Sequence, residues 1–283
     1  MEYKINSSQI SETYLELASD FVQILESLSD DQINQIPKKG GWSAGQVISH
    51  VTKANNSSFL TVEGVPAERN ISEQLPYLEK TFMNFDVKMV GPDFLAPEDK
   101  VYTKQGCISA INQCFQSLID ALPGSKLDEI LNSPLGSLTK WEIANFVIYH
   151  SKRHLYQLGN IQKSLTIDHK KELAAAFSDG KFSAVYDYLA EDVQWIVVAG
   201  RETNGKTAVM AECDKIATYF ASVTTDFQTH FVIAEGDTVV VSGTGAFLRN
   251  GKRFSHISAC EVYEFNQAGQ IAKIKSYCIE DNK

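Results

Sequence analysis

The spacing of apolar residues along this chain changes character once, near residue 166. Before that point it follows the 3.6-residue period of amphipathic helices, as in the run from Ile10 to Leu25. After it, alternating runs such as the one from Thr238 to Leu248 are typical of strands. A chain of 283 residues is long enough for two hydrophobic cores. We therefore expect two domains, residues 1–165 and residues 166–283.

Four main helices are predicted in residues 1–165. Two of them begin at a capping box, Ser43-x-x-Gln46 and Thr139-x-x-Glu142, in which side chain and backbone satisfy each other's free hydrogen-bonding groups. The second helix is predicted from Ala44 to about Leu60 and the last one as far as Leu165. Helices separated by loops favour an all-α, up-and-down four-helix bundle.

The second half reads as an α+β unit with three helical stretches on an antiparallel sheet. Asn250-Gly251, between two strand-like runs, predicts a tight hairpin. Gly243 and Gly245 fall on one face of the strand before it, where glycine usually marks a bend or a close backbone approach. A strongly curved antiparallel sheet is the expected consequence.

Charge and composition exclude several classes of partner. The net charge is -9, and the five arginines are scattered along the sequence. The sequence therefore predicts no basic patch that would bind a nucleic acid or an anionic membrane. No stretch of 18 apolar residues occurs, and the first residues lack the apolar core of a signal peptide. Five cysteines without CxxC spacing indicate reduced thiols. Together these features predict a cytoplasmic protein.

Three histidines in the helical half suggest a metal site. His150 and His154 lie one turn apart on the last predicted helix, and His50 lies on the second helix. Three neutral imidazoles could hold a divalent ion, zinc or nickel, and leave one position for water. The alternative reading is that His50 is a core histidine satisfied by a backbone carbonyl.

The segments that carry these histidines resemble the signatures of the DinB family. One is Trp42-Ser-Ala-Gly-Gln-Val-Ile-Ser-His50, and the other is His150-x-x-x-His154-x-x-Gln157. The resemblance implies a four-helix bundle that holds a divalent metal with His50, His150 and His154. The family includes thiol-dependent transferases and isomerases, and many of its members have no assigned reaction.

Residues 166–283 resemble the SnoaL-like branch of the nuclear transport factor 2-like superfamily. The matching positions are Asp192-Val-Gln-Trp195, Asn204-Gly205-Lys206, Gly236-Asp237, and Gly269-Gln270-Ile271 leading to Tyr277. The resemblance implies a cone of three helices against a curved sheet, with an apolar pocket inside. Some members of that family are enzymes with an Asp or His in the cone, and many only bind a ligand or dimerise.

The cone offers few candidates for catalysis. Trp195 and Tyr277 are expected to be pocket walls. His256 is the single candidate acid or base, with a solvated sheet face as the alternative position for it. Ile279 stands where the related enzymes often have an aspartate.

These readings predict a metal-dependent enzyme that acts on a small molecule, either a thiol-dependent transferase or a hydrolase, with a second small-ligand pocket in the cone. The alternative is a non-enzymatic ligand-binding or stress-response module with a structural or vestigial metal. A homodimer is expected from the second resemblance.

Overall fold

The computed structural model describes residues 6–280. The chain divides into two compact units, Met1–Leu165 and Thr166–Lys283. Within the described residues, no helix combines the length and the apolar character needed to cross a membrane. The predicted fold class is confirmed, since a helical part precedes a part in which helices pack on a curved sheet.

Helices dominate the first unit, and the last of them continues into the second. They are α1 (Ser7–Glu26), α2 (Asp30–Asn34), α3 (Ala44–Ala54), α4 (Ser58–Thr61), α5 (Leu75–Phe82), α6 (Lys104–Ala121) and α7 (Lys140–Ser178). The four long helices α1, α3, α6 and α7 share one apolar core, which includes Tyr14, Phe21, Val51 and Phe115. The buried hydroxyl of Tyr14 donates to the carbonyl of Ala144 at 2.8 Å and so ties α1 to α7.

Both predicted capping boxes are present, and they set the start of the two helices that carry the histidines. Ser43 and Gln46 exchange side chain–backbone hydrogen bonds of 3.0 and 3.3 Å. Thr139 and Glu142 do the same at 2.8 and 3.1 Å. Glu142 is fully buried and also accepts two hydrogen bonds from the Arg69 guanidinium, so the α7 N-terminus is fixed.

Two helix boundaries differ from the prediction. Helix α3 ends at Ala54 instead of near Leu60, because Asn55 turns its side chain into hydrogen bonds with α7. The last helix of the first half, predicted to end at Leu165, continues to Ser178, since neither Gly nor Pro lies between residues 160 and 178 to interrupt it.

A small sheet in the first unit was not predicted. It consists of β1 (Val65–Pro66), β2 (Glu129–Ser133) and β3 (Gly136–Thr139), all antiparallel. These strands are too short to show a period-2 pattern. Lys140, at the start of α7, forms a buried ion pair of 2.9 Å with Glu129 of β2.

The second unit is a six-stranded sheet with helices against it. Its strands are β4 (Leu189–Val197), β5 (Glu202–Asn204), β6 (Thr224–Glu235), β7 (Thr238–Arg249), β8 (Lys252–Phe265) and β9 (Ile271–Glu280), in the order β5-β4-β9-β8-β7-β6. The end of α7, two 3-10 turns (Phe182–Ala184 and Tyr186–Tyr188) and α8 (Lys206–Ala221) complete the unit. The predicted meander β6 to β9 is antiparallel, but β4 pairs with β9 in parallel, so the sheet is mixed. Periodicity along one strand carries no information on the direction of its neighbour.

The curvature of the sheet has the expected cause. A Cβ atom on Gly243 would lie 2.5 Å from the carbonyl oxygen of Gln228 on the neighbouring strand, so only glycine fits there. The β6–β7 register shifts between Thr229 and Phe231, which is a bulge opposite that glycine. The hairpin turn at Asn250-Gly251 has positive φ at both residues, as the sequence predicts.

Candidate metal centre

The three histidines of the first unit meet at one point. His50 comes from α3, and His150 and His154 come from adjacent turns of α7; their side chains are buried. The Nε2 atom of His150 lies 3.3 Å from Nε2 of His50 and 3.1 Å from Nε2 of His154. Among the described residues no carboxylate, thiol or further histidine joins this group.

The opposite nitrogen of each ring faces an oxygen acceptor. Nδ1 of His50 lies 2.9 Å from the carbonyl oxygen of Leu95, which can only accept, so Nδ1 carries the proton. Nδ1 of His154 lies 2.8 Å from Oε1 of Gln157, one turn further along α7. Both contacts leave Nε2 of the neutral ring with a free lone pair.

Asn55 fixes the tautomer of His150 in the same way. The hydroxyl of Ser151 donates to the carbonyl of Val147, so it must accept from the Asn55 amide NH₂, at 2.9 Å. That orientation turns Oδ1 of Asn55 toward Nδ1 of His150, also at 2.9 Å. His150 therefore donates from Nδ1 and presents an unprotonated Nε2 to the other two rings.

Electrostatics keep all three rings neutral. Burial lowers the pKa of His50, lowers the pKa of His154 to about 4, and, with the neighbouring imidazoles, holds the pKa of His150 well below its usual range. Three Nε2 lone pairs then face one another without a proton to share. A divalent cation resolves this repulsion, because neutral imidazole nitrogens are its ligands.

The spacing of the Nε2 atoms is compatible with ligation of a single metal ion, for which zinc gives a scale. With Zn–N bonds of about 2.0–2.1 Å, two ligands of a tetrahedral site are about 3.3 Å apart. The observed separations of 3.1 and 3.3 Å match that edge. A metal held by these three side chains alone would keep a coordination position open, which is the pattern of catalytic zinc sites.

Aromatic rings and a loop enclose the histidines. The ring of Trp42 is 4.9 Å from that of His50, and the ring of Phe146 is 5.2 Å from that of His150. The segment between α5 and α6 approaches His50 through the Leu95 carbonyl and through Gly91, where a Cβ would be 3.4 Å from His50 Cε1. Arg153 of α7 donates to the carbonyls of Phe82, Asn84 and Val87 and so anchors the start of this segment.

Two of the groups that accept hydrogen bonds from the histidine rings were not predicted from the sequence. Asn55 lies just outside α3, and the Leu95 carbonyl comes from a loop 45 residues away, so neither falls on the periodic pattern. Gln157 belongs to the motif that the sequence resemblance singled out. The backbone-carbonyl partner proposed for a core His50 exists, and it coexists with the histidine cluster.

The three candidate pocket residues of the second unit do not lie together around one cavity. Trp195 lines a cavity on the concave side of the sheet, but His256 and Tyr277 are absent from its lining, and Tyr277 is exposed. Alternation along β8 explains the difference, because Ile257, Ala259 and Glu261 face the cavity and His256 faces the other way. The expectation that His256 and Tyr277 line the pocket is therefore not met, and Glu261 is the carboxylate that the sequence reading missed.

Comparison with known proteins finds a matching family model in each half of the chain. Residues 14–158 match the sequence model of the DinB superfamily, and residues 171–274 match that of the SnoaL-like domain. A Bacillus cereus protein named "Putative metal-dependent hydrolase" is 21% identical over 151 residues, which cover 53% of this chain and 82% of that protein. A Bacillus mycoides protein with the same descriptive name is 20% identical over 151 residues, with the same coverage.

Solved structures resemble a smaller share of the chain. An NTF2-like protein of unknown function from Cytophaga hutchinsonii is 28% identical, with a TM-score of 0.35, over 38% of this chain and 94% of that one. An LEH-like epoxide hydrolase of M. tuberculosis is 19% identical, with a TM-score of 0.33, over 40% of this chain and 82% of that one.

Proposed function

Since the chain belongs to the DinB superfamily, whose model spans residues 14–158, we propose that it is a metal-dependent hydrolase of a small molecule. In this proposal His50, His150 and His154 hold one divalent ion, with zinc or nickel as the metal. A SnoaL-like domain at residues 171–274 supplies a second, separate ligand pocket.

The observation that carries the proposal is the arrangement of the three Nε2 atoms. They are unprotonated and buried, and Nε2 of His150 lies 3.3 Å from that of His50 and 3.1 Å from that of His154. Every Nδ1–H is directed to an oxygen acceptor. Hydrogen bonds of this kind fix ring orientation and raise the basicity of a metal ligand. The chain's own contribution is therefore a preorganised, neutral, three-nitrogen site.

The open position determines the class of reaction. A divalent ion held by His50, His150 and His154 would supply Lewis-acid chemistry at this site and so could activate a nucleophile at neutral pH. The rings of Trp42 and Phe146 restrict bulk water around the histidines. Val90 and Phe94, on the segment that approaches His50, are exposed and offer apolar contacts to a substrate.

Hydrolysis is favoured over transfer to a small thiol by the descriptive name of the Bacillus relatives. A thiol can occupy the same open position, so the thiol-dependent transferase remains the second candidate. A module with a structural metal requires a fourth protein ligand, and the described residues bring none to the group.

The test measures hydrolysis of a panel of activated esters and amides by the full chain, before and after removal of metal by a chelator. We expect activity to disappear on chelation and to return on addition of zinc. His150→Ala should lower it by about a hundredfold or more, because a metal ligand is lost. Lys152→Ala, an exposed position on the same helix, is the matched control and should have no effect.

Two results would contradict the hydrolase. Activity that survives both the chelator and His150→Ala would place the chemistry elsewhere. Transfer of a small thiol to an electrophile such as 1-chloro-2,4-dinitrobenzene, dependent on zinc and without hydrolysis of the panel, would favour the transferase.

A further inference from the structure

The concave side of the second unit's sheet carries a cavity of about 210 Å³ that is open to solvent. Five aromatic side chains contribute to its lining: Phe177, Phe182, Trp195, Phe220 and Phe227. Gly243 and Ala259, which pair across β7 and β8, leave space at the sheet surface. A mostly apolar cavity with a few polar groups is typical of small-molecule sites.

The polar groups of this cavity converge on Glu261. Its Oε1 accepts a hydrogen bond from the Ser276 hydroxyl at 2.7 Å, and its Oε2 accepts from the Tyr263 hydroxyl at 2.8 Å and contacts the Ser178 hydroxyl. Ser276 in turn accepts from the indole N–H of Trp195 at 2.9 Å. Ser276 and Tyr263 thus donate to different oxygens of the carboxylate, which holds it in one orientation.

The cluster leaves acceptor capacity on the carboxylate. Burial and the adjacent charge of Glu261 raise the pKa of Tyr263 well above its usual range, so its hydroxyl remains a donor. A carboxylate has about four lone-pair sites. Tyr263 donates to Oε2 and Ser276 to Oε1, and the single proton of the Ser178 hydroxyl serves either Oε2 or the Tyr263 oxygen, 2.7 Å away. A free site remains on Oε1.

The charge of Glu261 is not balanced by a basic side chain. The described lining contains two carboxylates, Glu261 and Asp179, and no Lys, Arg or His. Asp179 already pairs with Lys181 at 3.2 Å and accepts from Thr229. Among the ion pairs within residues 6–280, none involves Glu261. An anionic ligand is disfavoured here, and a cation is favoured both by the carboxylate and by the faces of the aromatic rings.

We propose that this cavity binds a small aromatic or aliphatic molecule that carries a protonated amine, with the ammonium on Glu261 and the apolar body against the aromatic rings. Nothing in this inference depends on the metal centre of the first unit. It assigns to the second unit a ligand class, and to Glu261 the role of its anchor.

The experiment compares three probes that share one ring system and differ in charge: 2-naphthylmethylamine, 2-naphthylmethanol and 2-naphthoate. Each is titrated into the full chain by calorimetry after dialysis against a chelator, so that coordination to a metal cannot contribute. The amine should bind at least about tenfold more tightly than the alcohol, as expected for a hydrogen bond to a charged group, and the naphthoate most weakly.

Variants assign the effect to the carboxylate. Glu261→Gln should weaken the amine about tenfold or more and leave the alcohol nearly unchanged. Glu264→Gln is the matched control on the same strand; Glu264 lies outside the cavity lining, next to Lys275, and its loss should change neither probe. Ala259→Phe, which fills the cavity, should weaken all three probes.

Three results would overturn the proposal: naphthoate binding as tightly as the amine, equal effects of Glu261→Gln and Glu264→Gln, or amine binding that Ala259→Phe does not reduce. If Glu261→Gln fails to fold, the relative affinities of the three probes for the unaltered chain and for Ala259→Phe still test the proposal.

Discussion

Asn55 is the residue whose replacement tests most sharply how the histidine site is built. It is fully buried and makes two hydrogen bonds of 2.9 Å, one to Ser151 and one to Nδ1 of His150. Asn55→Ala removes both, which leaves the His150 N–H without an acceptor and frees the ring to change tautomer. Loss of such a support typically costs about 10–100-fold in metal affinity, or about 1.4–2.8 kcal/mol.

The same variant should lower the stability of the metal-free protein by about 1–3 kcal/mol, because buried polar partners are left unsatisfied. Asn55→Asp separates the two effects. Its carboxylate still accepts from His150 but cannot donate to Ser151, so zinc affinity should stay close to that of the unaltered protein while the metal-free stability falls. Asn56→Ala, an exposed neighbour, is the control for both measurements.

Competition with a chromophoric zinc chelator gives the affinity, and thermal melts with and without zinc give the stability. With saturating zinc, a tenfold weaker site stabilises the folded chain by about 1.4 kcal/mol less. If Asn55→Ala binds zinc as tightly as the unaltered protein, the hydrogen bond to His150 does not organise the site. If Asn55→Asp weakens binding as much as Asn55→Ala, the acceptor argument is wrong.

Three further predictions concern the fold. Gly243→Ala should destabilise the protein by about 1–3 kcal/mol in denaturant melts, since the added Cβ would lie 2.5 Å from a carbonyl oxygen. Gly159→Ala, in the interior of α7 with nothing within 4 Å of the added Cβ, should stabilise the protein by about 0.5–1 kcal/mol. Equal effects of the two substitutions would contradict the packing argument. A hydrogen bond from Lys140 lowers the pKa of Glu129 to about 2, whereas the unfolded chain has a value of about 4.3. The contribution of Glu129 to stability is therefore complete above about pH 4.3 and is lost as the pH falls toward 2. Glu129→Gln should flatten that part of the stability–pH curve, and an unchanged curve would refute the role of the pair. The fragment 166–283 should melt cooperatively on its own, because it retains an entire apolar core; a broad, non-cooperative melt would show that it needs the rest of the chain.

Sequence alone was sufficient for the elements whose signals are local. The capping boxes at Ser43 and Thr139 and the Asn250-Gly251 turn each depend on neighbouring residues, and the structure contains all three. The His150–His154 pair follows from helical geometry in the same way. Features that join distant segments, such as the Leu95 carbonyl on His50, have no local signal.

The cone illustrates the limit of strand periodicity. Alternation separates His256 from Ile257, Ala259 and Glu261 on β8, but it does not say which face is concave. That choice follows from the curvature, and the small residues Gly243 and Ala259 mark the open side. Glu261 shares their face, so the carboxylate of the cavity could have been found by following the glycines rather than the histidine.

The most direct test of the central claim is the coordination of zinc in the purified full chain, measured as metal stoichiometry together with X-ray absorption at the zinc edge. We predict one zinc per chain with three imidazole nitrogens at about 2.0–2.1 Å and one exchangeable oxygen ligand, all lost in His50→Ala, His150→Ala and His154→Ala. A chain that binds no zinc, or whose zinc keeps its spectrum when these histidines are replaced, would contradict the claim.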